Sequence, residues 1–319
     1  MKKYILKRLS IAIGLIFIVS TIVFLLIHLM PGDPVLLMLG TDSNPDPAAV
    51  ASLRKELGLD QSLFSQYINW VTALFQGNFG KSYSENMPVI QAISSRIPRT
   101  IELALFSLIL ACIIGIPLGV WSSLRRGRMC DFIMTTFASL GTSIPVYVLG
   151  YLLVIVFALD IFRSGLFKLP SSGYIDLSKN PVQHFIRLIL PTVTLALGVA
   201  ASIMRMTRSS MLEAMSNESV RALRAKGLKE RRIITRHIIR NAMIPVITII
   251  GLQLGNLIGG TVLCENVFNW PGLSTLLVKA INHRDYPLIQ GCILIMSSLF
   301  ILTNLVVDII YGMLDPRAR

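Results

Sequence analysis

The chain has 319 residues, of which 53% are hydrophobic and 15% are charged, and its formal net charge is +13. Soluble domains carry about a quarter charged residues, so this composition, with a mean hydropathy of +0.67, excludes an ordinary soluble globular protein. The basic residues flank long apolar runs instead of covering one polar face, which argues against a nucleic-acid-binding protein.

Six apolar segments predict six membrane-spanning helices, because about 20 apolar residues in a helix cross the hydrocarbon core. The first, 9–30, follows a basic N-terminus and is too long for the apolar core of a signal peptide. A polar excursion at 31–98 separates it from the other spans. The third contains Pro145 and the fourth Pro191, either of which can kink its helix. The later predicted spans are 100–122, 132–159, 186–206, 242–264 and 287–313.

The fold class is therefore all-α, a polytopic membrane protein with about six transmembrane helices. Lys and Arg residues predict its orientation, because they are enriched in cytoplasmic loops. One side of the predicted topology holds 19 of them and the other side holds 11. The denser side includes both termini, so we expect both termini in the cytoplasm and the excursion outside. The predicted organisation is 1–30 for the N-terminus and first span, 31–98 for the excursion, 99–313 for a five-helix core and 314–319 for a tail.

No motif in the chain indicates an enzyme. The segment from Gly77 to Ser82 resembles a phosphate-binding loop, but that loop needs a glycine at position 75, where the chain has Phe75. We find no catalytic cluster at membrane depth. No metal site is predicted, since the four histidines are scattered along the chain at positions 28, 184, 237 and 283.

The long basic loop at 207–240 carries the most informative pattern. Val220, Leu223 and Leu228 fall near one face of a short helix that is otherwise basic, and Gly227 can end that helix with a positive φ. A second amphipathic helix then leads into the fifth span. Two short helices at a sharp turn form a rigid knob that can dock on a cytoplasmic partner. The residues alone leave open a second interpretation, a basic amphipathic helix lying on anionic lipid.

This stretch resembles the cytoplasmic coupling motif of binding-protein-dependent ABC importer permeases, most closely the peptide and nickel group. It reads Glu-Ser-Val-Arg-Ala-Leu-Arg-Ala-Lys-Gly-Leu over 218–228 and continues through His237, Arg240 and Asn241. Glu218 and Ser219 replace the Asp-Tyr typical of the family. Leu223 stands where the family has a small alanine that faces the ATPase. Other segments that match the family are 29–34, 57–61, 259–261, 265–272, 284–287, 304–308 and 314–317.

The resemblance implies one membrane subunit of a larger complex in the cell (inner or cytoplasmic) membrane of a prokaryote. Its partners would be a second homologous permease, two ATP-binding subunits, an extracytoplasmic solute-binding protein and membrane lipid, with no nucleic acid. This chain would bind no cofactor, and ATP and Mg would belong to the partner subunits. The residues that would couple the chain to the ATPase are Glu218, Val220, Arg221, Leu223, Arg224, Ala225, Lys226, Gly227, Leu228, His237, Arg240 and Asn241.

The fifth predicted span carries a stripe of small residues. Gly251, Gly255 and Gly259 recur at four-residue spacing, which lets another helix approach closely. Gln253 and Asn256 are polar and offset from the stripe, so they are candidates for a water-filled solute path. Hydrogen bonding between helices, without solute contact, is the alternative for these two residues.

Three further features lie near the ends of the spans. The outer segment 266–272 contains Phe268 and Trp270, which we take as candidates for a gate above the pore, with simple loop packing as the alternative. Glu102 begins the second span and Asp308 comes late in the sixth. We expect these two acids to pair with bases near the membrane interface rather than to relay protons.

The sequence thus predicts a permease subunit that forms half of a translocation pathway for di- or oligopeptides. Import of nickel, a nickel chelate or glutathione is the alternative within the family. A stand-alone secondary transporter is the alternative of a different class.

Overall fold

The structure is a computed structural model that describes residues 2–29, 51, 54, 60–158 and 169–314. Residue 314 is described by its backbone only. Thirteen α-helices and one π-helical turn, Ile234–Ile238, lie in this part of the chain. The helices are α1 (Lys2–Leu29), α2 (Leu63–Phe75), α3 (Val89–Ser94), α4 (Ile97–Leu124), α5 (Met129–Ser143), α6 (Val146–Phe157), α7 (Pro181–Ser216), α8 (Glu218–Ala225), α9 (Glu230–Ile233), α10 (Ile239–Gly260), α11 (Val262–Val267), α12 (Leu273–Asn282) and α13 (Tyr286–Leu314).

The predicted count of about six spans is confirmed, with one correction. Among the described residues, five helical segments are long and apolar enough to cross a membrane, and the bent pair α5 and α6 makes a sixth when it is counted as one span. The two helices meet at 105°, so the expected third span is broken rather than continuous. Pro145 explains the break, because a proline disfavours helical geometry in the preceding residue, and Ile144 is extended, with ψ 123°. Pro191, by contrast, lies within the continuous helix α7.

Helices α4 and α7 form the central pair of the fold. Two glycines of α4 bring the helices together: a Cβ at Gly115 would lie 2.7 Å from the Ala200 carbonyl oxygen. A Cβ at Gly119 would lie 2.6 Å from the Thr207 Cβ. Glycine is required at both positions, because even a Cβ atom would push the two helices apart. The largest apolar core surrounds this pair and extends to α10 and α11.

Helix α1 packs along α13, which joins the two ends of the chain. The Arg8 Nη1 atom lies 2.9 Å from Asp308 Oδ2, and the Tyr4 hydroxyl donates to the Asp308 carbonyl oxygen. At the other predicted acidic position, Glu102 Oε1 lies 2.7 Å from His184 Nε2. Both acids are therefore paired, as predicted. The motif residues 30–34, 57–59 and 315–317 lie outside the described residues.

Candidate functional site

The long basic loop begins later than predicted, because α7 continues to Ser216 instead of ending near position 206. Asn217 then ends α7 and caps α8, with ψ 141°. Its side-chain oxygen accepts a hydrogen bond from the Ser219 backbone N–H at 3.3 Å. One extended, capping residue therefore redirects the chain from the membrane helix into α8.

Gly227 ends α8 in the left-handed conformation, at φ +75°. Its N–H donates to the Arg224 carbonyl oxygen at 2.9 Å, and the Leu228 N–H donates to the Leu223 carbonyl oxygen at 3.4 Å. These two bonds and the positive φ form a Schellman motif, which satisfies the last free carbonyl groups of a helix. The structure thus confirms the predicted helix end at Gly227.

The inner face of α8 packs against a small apolar cluster. Val220 is buried with Ile233, Ile238 and two other residues, and the half-buried Leu223 and Leu228 pack against the same cluster. The predicted shared face of Val220, Leu223 and Leu228 is confirmed. Leu223 packs partly against the chain's own core, and its contact with an ATPase stays a prediction.

The outer face of α8 is polar and accessible. Arg224 donates to both carboxylate oxygens of Glu230, at 2.6 and 3.1 Å, across the turn. This exposed bidentate pair bridges α8 and α9. The exposed members of the predicted coupling set in this segment are Glu218, Arg221, Arg224, Ala225, Lys226 and Gly227.

The remaining predicted coupling residues lie where α9 runs into the fifth span. His237 is half-buried in the π-helical turn Ile234–Ile238, and Arg240 and Asn241 are exposed in the first turn of α10. A π-helical turn inserts extra backbone into a helix and is frequent at functional sites. The turn joins α9 to α10 in one uninterrupted helical segment, Glu230–Gly260.

A cleft of about 200 Å³ lies where the third span breaks. Gln253 and Asn256 of α10, the two predicted polar residues, both line it. The other walls come from the break between α5 and α6 and from the middle of α7. Polar groups at membrane depth require water, solute or a partner, so this cleft is the candidate solute path. Its remaining lining residues are Gly141, Ile144, Val146, Leu149, Thr194, Leu195, Gly198, Val199, Leu257 and Gly260.

The glycine stripe of α10 faces α13. A Cβ at Gly251 would overlap the Val307 side chain, and a Cβ at Gly255 would lie 2.9 Å from Asn304 Oδ1. At Gly259 the nearest atom belongs to Phe300, at 3.8 Å. The close approach is therefore tightest at Gly251 and relaxes toward Gly259.

Phe268 and Trp270 lie in the core and not on the cleft. Trp270 is fully buried, and its indole N–H donates to the Arg99 carbonyl oxygen at 3.0 Å. Phe268 is also buried and packs against Gly150. Within this chain both aromatic residues pack the outer segment onto the helices, as in the loop-packing alternative, because their rings fill space between α4, α6 and α7.

A buried carboxylate organises the same outer segment, and the sequence did not single it out. Glu265 is completely buried and accepts hydrogen bonds from the Thr100 and Thr261 hydroxyls. It also accepts from the Ser274 and Thr275 backbone N–H groups, at 2.9 and 3.0 Å. Burial raises the pKa of the Glu265 carboxyl, and these hydrogen bonds oppose that shift. The cluster of Thr and Ser around an acid was visible in the sequence, but Thr100 is 165 positions away.

An ion pair that the sequence did not predict joins the first turn of α5 to α7. Arg208 of α7 donates to both carboxylate oxygens of Asp131 in the first turn of α5, at 2.7 and 2.8 Å. The Ser122 hydroxyl and the Gly127 N–H donate to the same carboxylate. Helix α7, which leads into α8, is thereby bound to α5, the first half of the broken span that lines the cleft.

Family comparisons agree with this architecture. Residues 115–319 match the family described as "Binding-protein-dependent transport system inner membrane component". Residues 1–104 match its N-terminal companion, "Binding-prot-dependent transport system membrane comp, N-term".

Two full-length relatives illustrate the similarity. A probable peptide ABC transporter permease protein, y4tP of Sinorhizobium fredii, is 40% identical over 316 residues, 99% of each chain. A glutathione transport system permease protein, GsiC of Escherichia coli strain K12, is 41% identical over 319 residues, 100% of this chain and 99% of the relative.

Among solved structures, the fold resembles the inward-facing MetNI methionine ABC transporter. The TM-score is 0.52 at 17% identity, covering 71% of this chain and 97% of the other. At this identity the similarity concerns the fold alone.

Proposed function

Since the chain belongs to the family of binding-protein-dependent transport system inner membrane components, and is a membrane permease subunit of an ABC importer, we propose that it moves di- or oligopeptides and that α8 couples it to the ATPase. A second homologous permease would complete the pathway. Two ATP-binding subunits and an extracytoplasmic solute-binding protein would complete the complex.

The geometry of α8 carries the coupling part of the proposal. The helix is held from behind by Val220, Leu223 and Leu228, while its outer face stays exposed and basic. Such a helix transmits a push because its apolar face cannot slide without losing buried contacts. The push would reach the cleft by two routes, through α7 and the Asp131–Arg208 pair and through α9 into α10.

The lipid-binding alternative for this segment explains less of the geometry. A helix bound to anionic lipid presents its apolar face to the membrane. In α8 the apolar face is turned toward the chain's own cluster, and the outward face is polar. This arrangement favours a protein partner with acidic groups opposite Arg221 and Lys226.

The cleft beside the broken span carries the transport part. It places Gln253 and Asn256 where a polar solute would need hydrogen-bonding groups at membrane depth. The open side would be completed by the second permease. Relatives named for peptide and for glutathione transport favour a peptide-like solute, because glutathione is itself a tripeptide. Nickel or a nickel chelate remains the alternative cargo at the level of the family.

Reconstitution of the complete complex in proteoliposomes tests both parts. With its solute-binding protein present, we expect ATPase activity to rise with a dipeptide, a longer peptide or glutathione. Stimulation by nickel or a nickel chelate alone would overturn the peptide assignment. ATP-independent accumulation of solute by the purified chain alone would overturn the subunit role and favour a stand-alone transporter.

A further inference from the structure

Helix α2 differs from the longer helices of the fold in that none of its residues is buried in the chain. It lies in the excursion that follows α1. The sequence from 61 to 80 contains no Asp, Glu, Lys or Arg. Four of its apolar side chains are strongly exposed, with Leu63 at 55%, Phe64 at 73%, Ile68 at 46% and Phe75 at 89%. An uncharged helix with exposed phenylalanines is poorly suited to water.

Apart from Leu63 at its first position, the exposed residues of α2 lie on two adjacent stripes. Phe64, Ile68, Val71 and Phe75 recur at the spacing of one helix face. Ser65, Asn69, Thr72 and the C-terminal cap residue Gln76 recur at the same spacing on the neighbouring face. The helix is thus divided lengthwise into an apolar stripe and a polar stripe, which is the pattern of a helix lying at a membrane interface.

A third face of α2 contacts α1 and sets the position of α2 along that helix. The Tyr67 hydroxyl lies 2.8 Å from the Thr21 hydroxyl and 3.2 Å from the Ser20 hydroxyl. The Tyr67 and Trp70 rings also pack on the Phe24 ring, with centroids 5.2 and 5.8 Å away. These contacts all fall on the C-terminal half of α1.

That half of α1 lies inside the bilayer. Arg8 is the last charged residue of α1, and Thr21 follows it by a rise of about 20 Å at 1.5 Å per residue. Across a hydrocarbon core of about 30 Å, Thr21 therefore lies about 10 Å below the far boundary. The adjoining Phe17 is itself 58% exposed and touches Tyr67. The lipid-facing surface of α1 thus continues onto α2.

We propose that α2 is embedded in the leaflet opposite the basic N-terminus, with its apolar stripe against lipid acyl chains and its polar stripe toward the headgroups and water. The acyl chains are the occupant favoured by the depth, the lack of charge and the continuity with α1. The helix anchors the excursion to the membrane beside α1. This inference does not depend on the transported solute or on the coupling role of α8.

Spin labelling of the full chain tests the proposal. Single cysteines are introduced as Phe64→Cys and Ile68→Cys on the apolar stripe, and as Asn69→Cys and Thr72→Cys as matched controls on the same helix. The labelled protein is reconstituted in phosphatidylethanolamine–phosphatidylglycerol vesicles, and the signal of the labelled parent chain is subtracted to account for its native cysteines. Collision of the nitroxide is measured with oxygen, which concentrates in lipid, and with a water-soluble nickel chelate.

We expect the ratio of oxygen to nickel collision to be severalfold higher at Phe64 and Ile68 than at Asn69 and Thr72. Equal nickel accessibility at all four positions would overturn the proposal, because the helix would then lie in water. Protection of the apolar stripe from both reagents would also overturn it, since a protein surface would then cover the stripe. Phe75→Cys repeats the test at the other end of the stripe if one apolar variant is poorly inserted.

Discussion

Replacement of Gly227 should disable transport in proportion to the cost of its backbone conformation. The residue has φ +75° and ends α8. A Cβ at this position would meet no atom within 4 Å, so Gly227→Ala introduces no steric clash. The remaining cost is that of a left-handed residue with a Cβ, about 1–2 kcal/mol. That energy lowers the population of the correct turn about 5- to 30-fold relative to its alternatives.

A graded series follows from the same geometry. Gly227→Asn should be milder than alanine, because asparagine tolerates the left-handed region. Gly227→Pro should be the most severe, because proline fixes φ near −65° and removes the N–H that bonds to Arg224. Uptake is measured in proteoliposomes of the whole complex, together with the amount of ATPase that copurifies and the amount of inserted permease. We expect uptake in the order Gly, Asn, Ala, Pro at equal insertion.

Gly77→Ala provides the matched control. Gly77 follows α2 at φ +76°, and a Cβ added there would also meet no atom within 4 Å, but the residue lies in the excursion after α1. Its substitution carries a similar backbone cost and should leave the copurified ATPase unchanged. If Gly77→Ala lost the ATPase as strongly as Gly227→Ala, or if Gly227→Pro transported normally, the coupling role of α8 would be wrong.

Four further predictions concern Glu265, Gly251 and Asp131. Glu265→Ala should lower the free energy of unfolding by several kcal/mol, since each buried donor left without an acceptor costs about 1–3 kcal/mol. Glu265→Gln should lower it less. Both variants are measured by thermal unfolding in detergent, and equal effects would contradict the role of the hydrogen bonds. Because the pKa of Glu265 is raised on folding, its contribution to stability should be largest at low pH and should fall as pH rises from the unfolded to the folded pKa, a dependence that Glu265→Gln should lack. Gly251→Ala should destabilise the packing of α10 on α13 by about 1–3 kcal/mol, and adding Val307→Ala should restore the melting temperature; lack of rescue would refute the close contact. Asp131→Asn should destabilise more than Arg208→Lys, because only the first leaves a partly buried cation without its carboxylate; the same unfolding assay decides the order.

Several features could be predicted from short stretches of sequence. The spans follow from local hydropathy, because insertion depends on the length and apolarity of one continuous run. The end of α8 at Gly227 and its apolar face follow from residues within one or two helical turns. The pairing of Glu102 and Asp308 with bases was also expected, since an unpaired acid near the bilayer is costly. For the spans and for α8 the determining residues are close together in the chain, whereas Glu102 and Asp308 find their partners at the distant positions His184 and Arg8.

The tertiary structure decided what depends on distant residues. Pro145 indicates a kink, but neighbouring helices set the 105° between α5 and α6. The partner of Asp131 lies 77 positions away, and Thr100 lies 165 positions from Glu265. The cluster against which Leu223 packs is assembled from α7, α9 and α10, so its members could not be paired from the sequence of α8 alone. The sequence by itself determined which segments enter the membrane, because that choice is local. Which side chains meet inside the bundle depends on how the helices pack, and packing is a property of the whole chain.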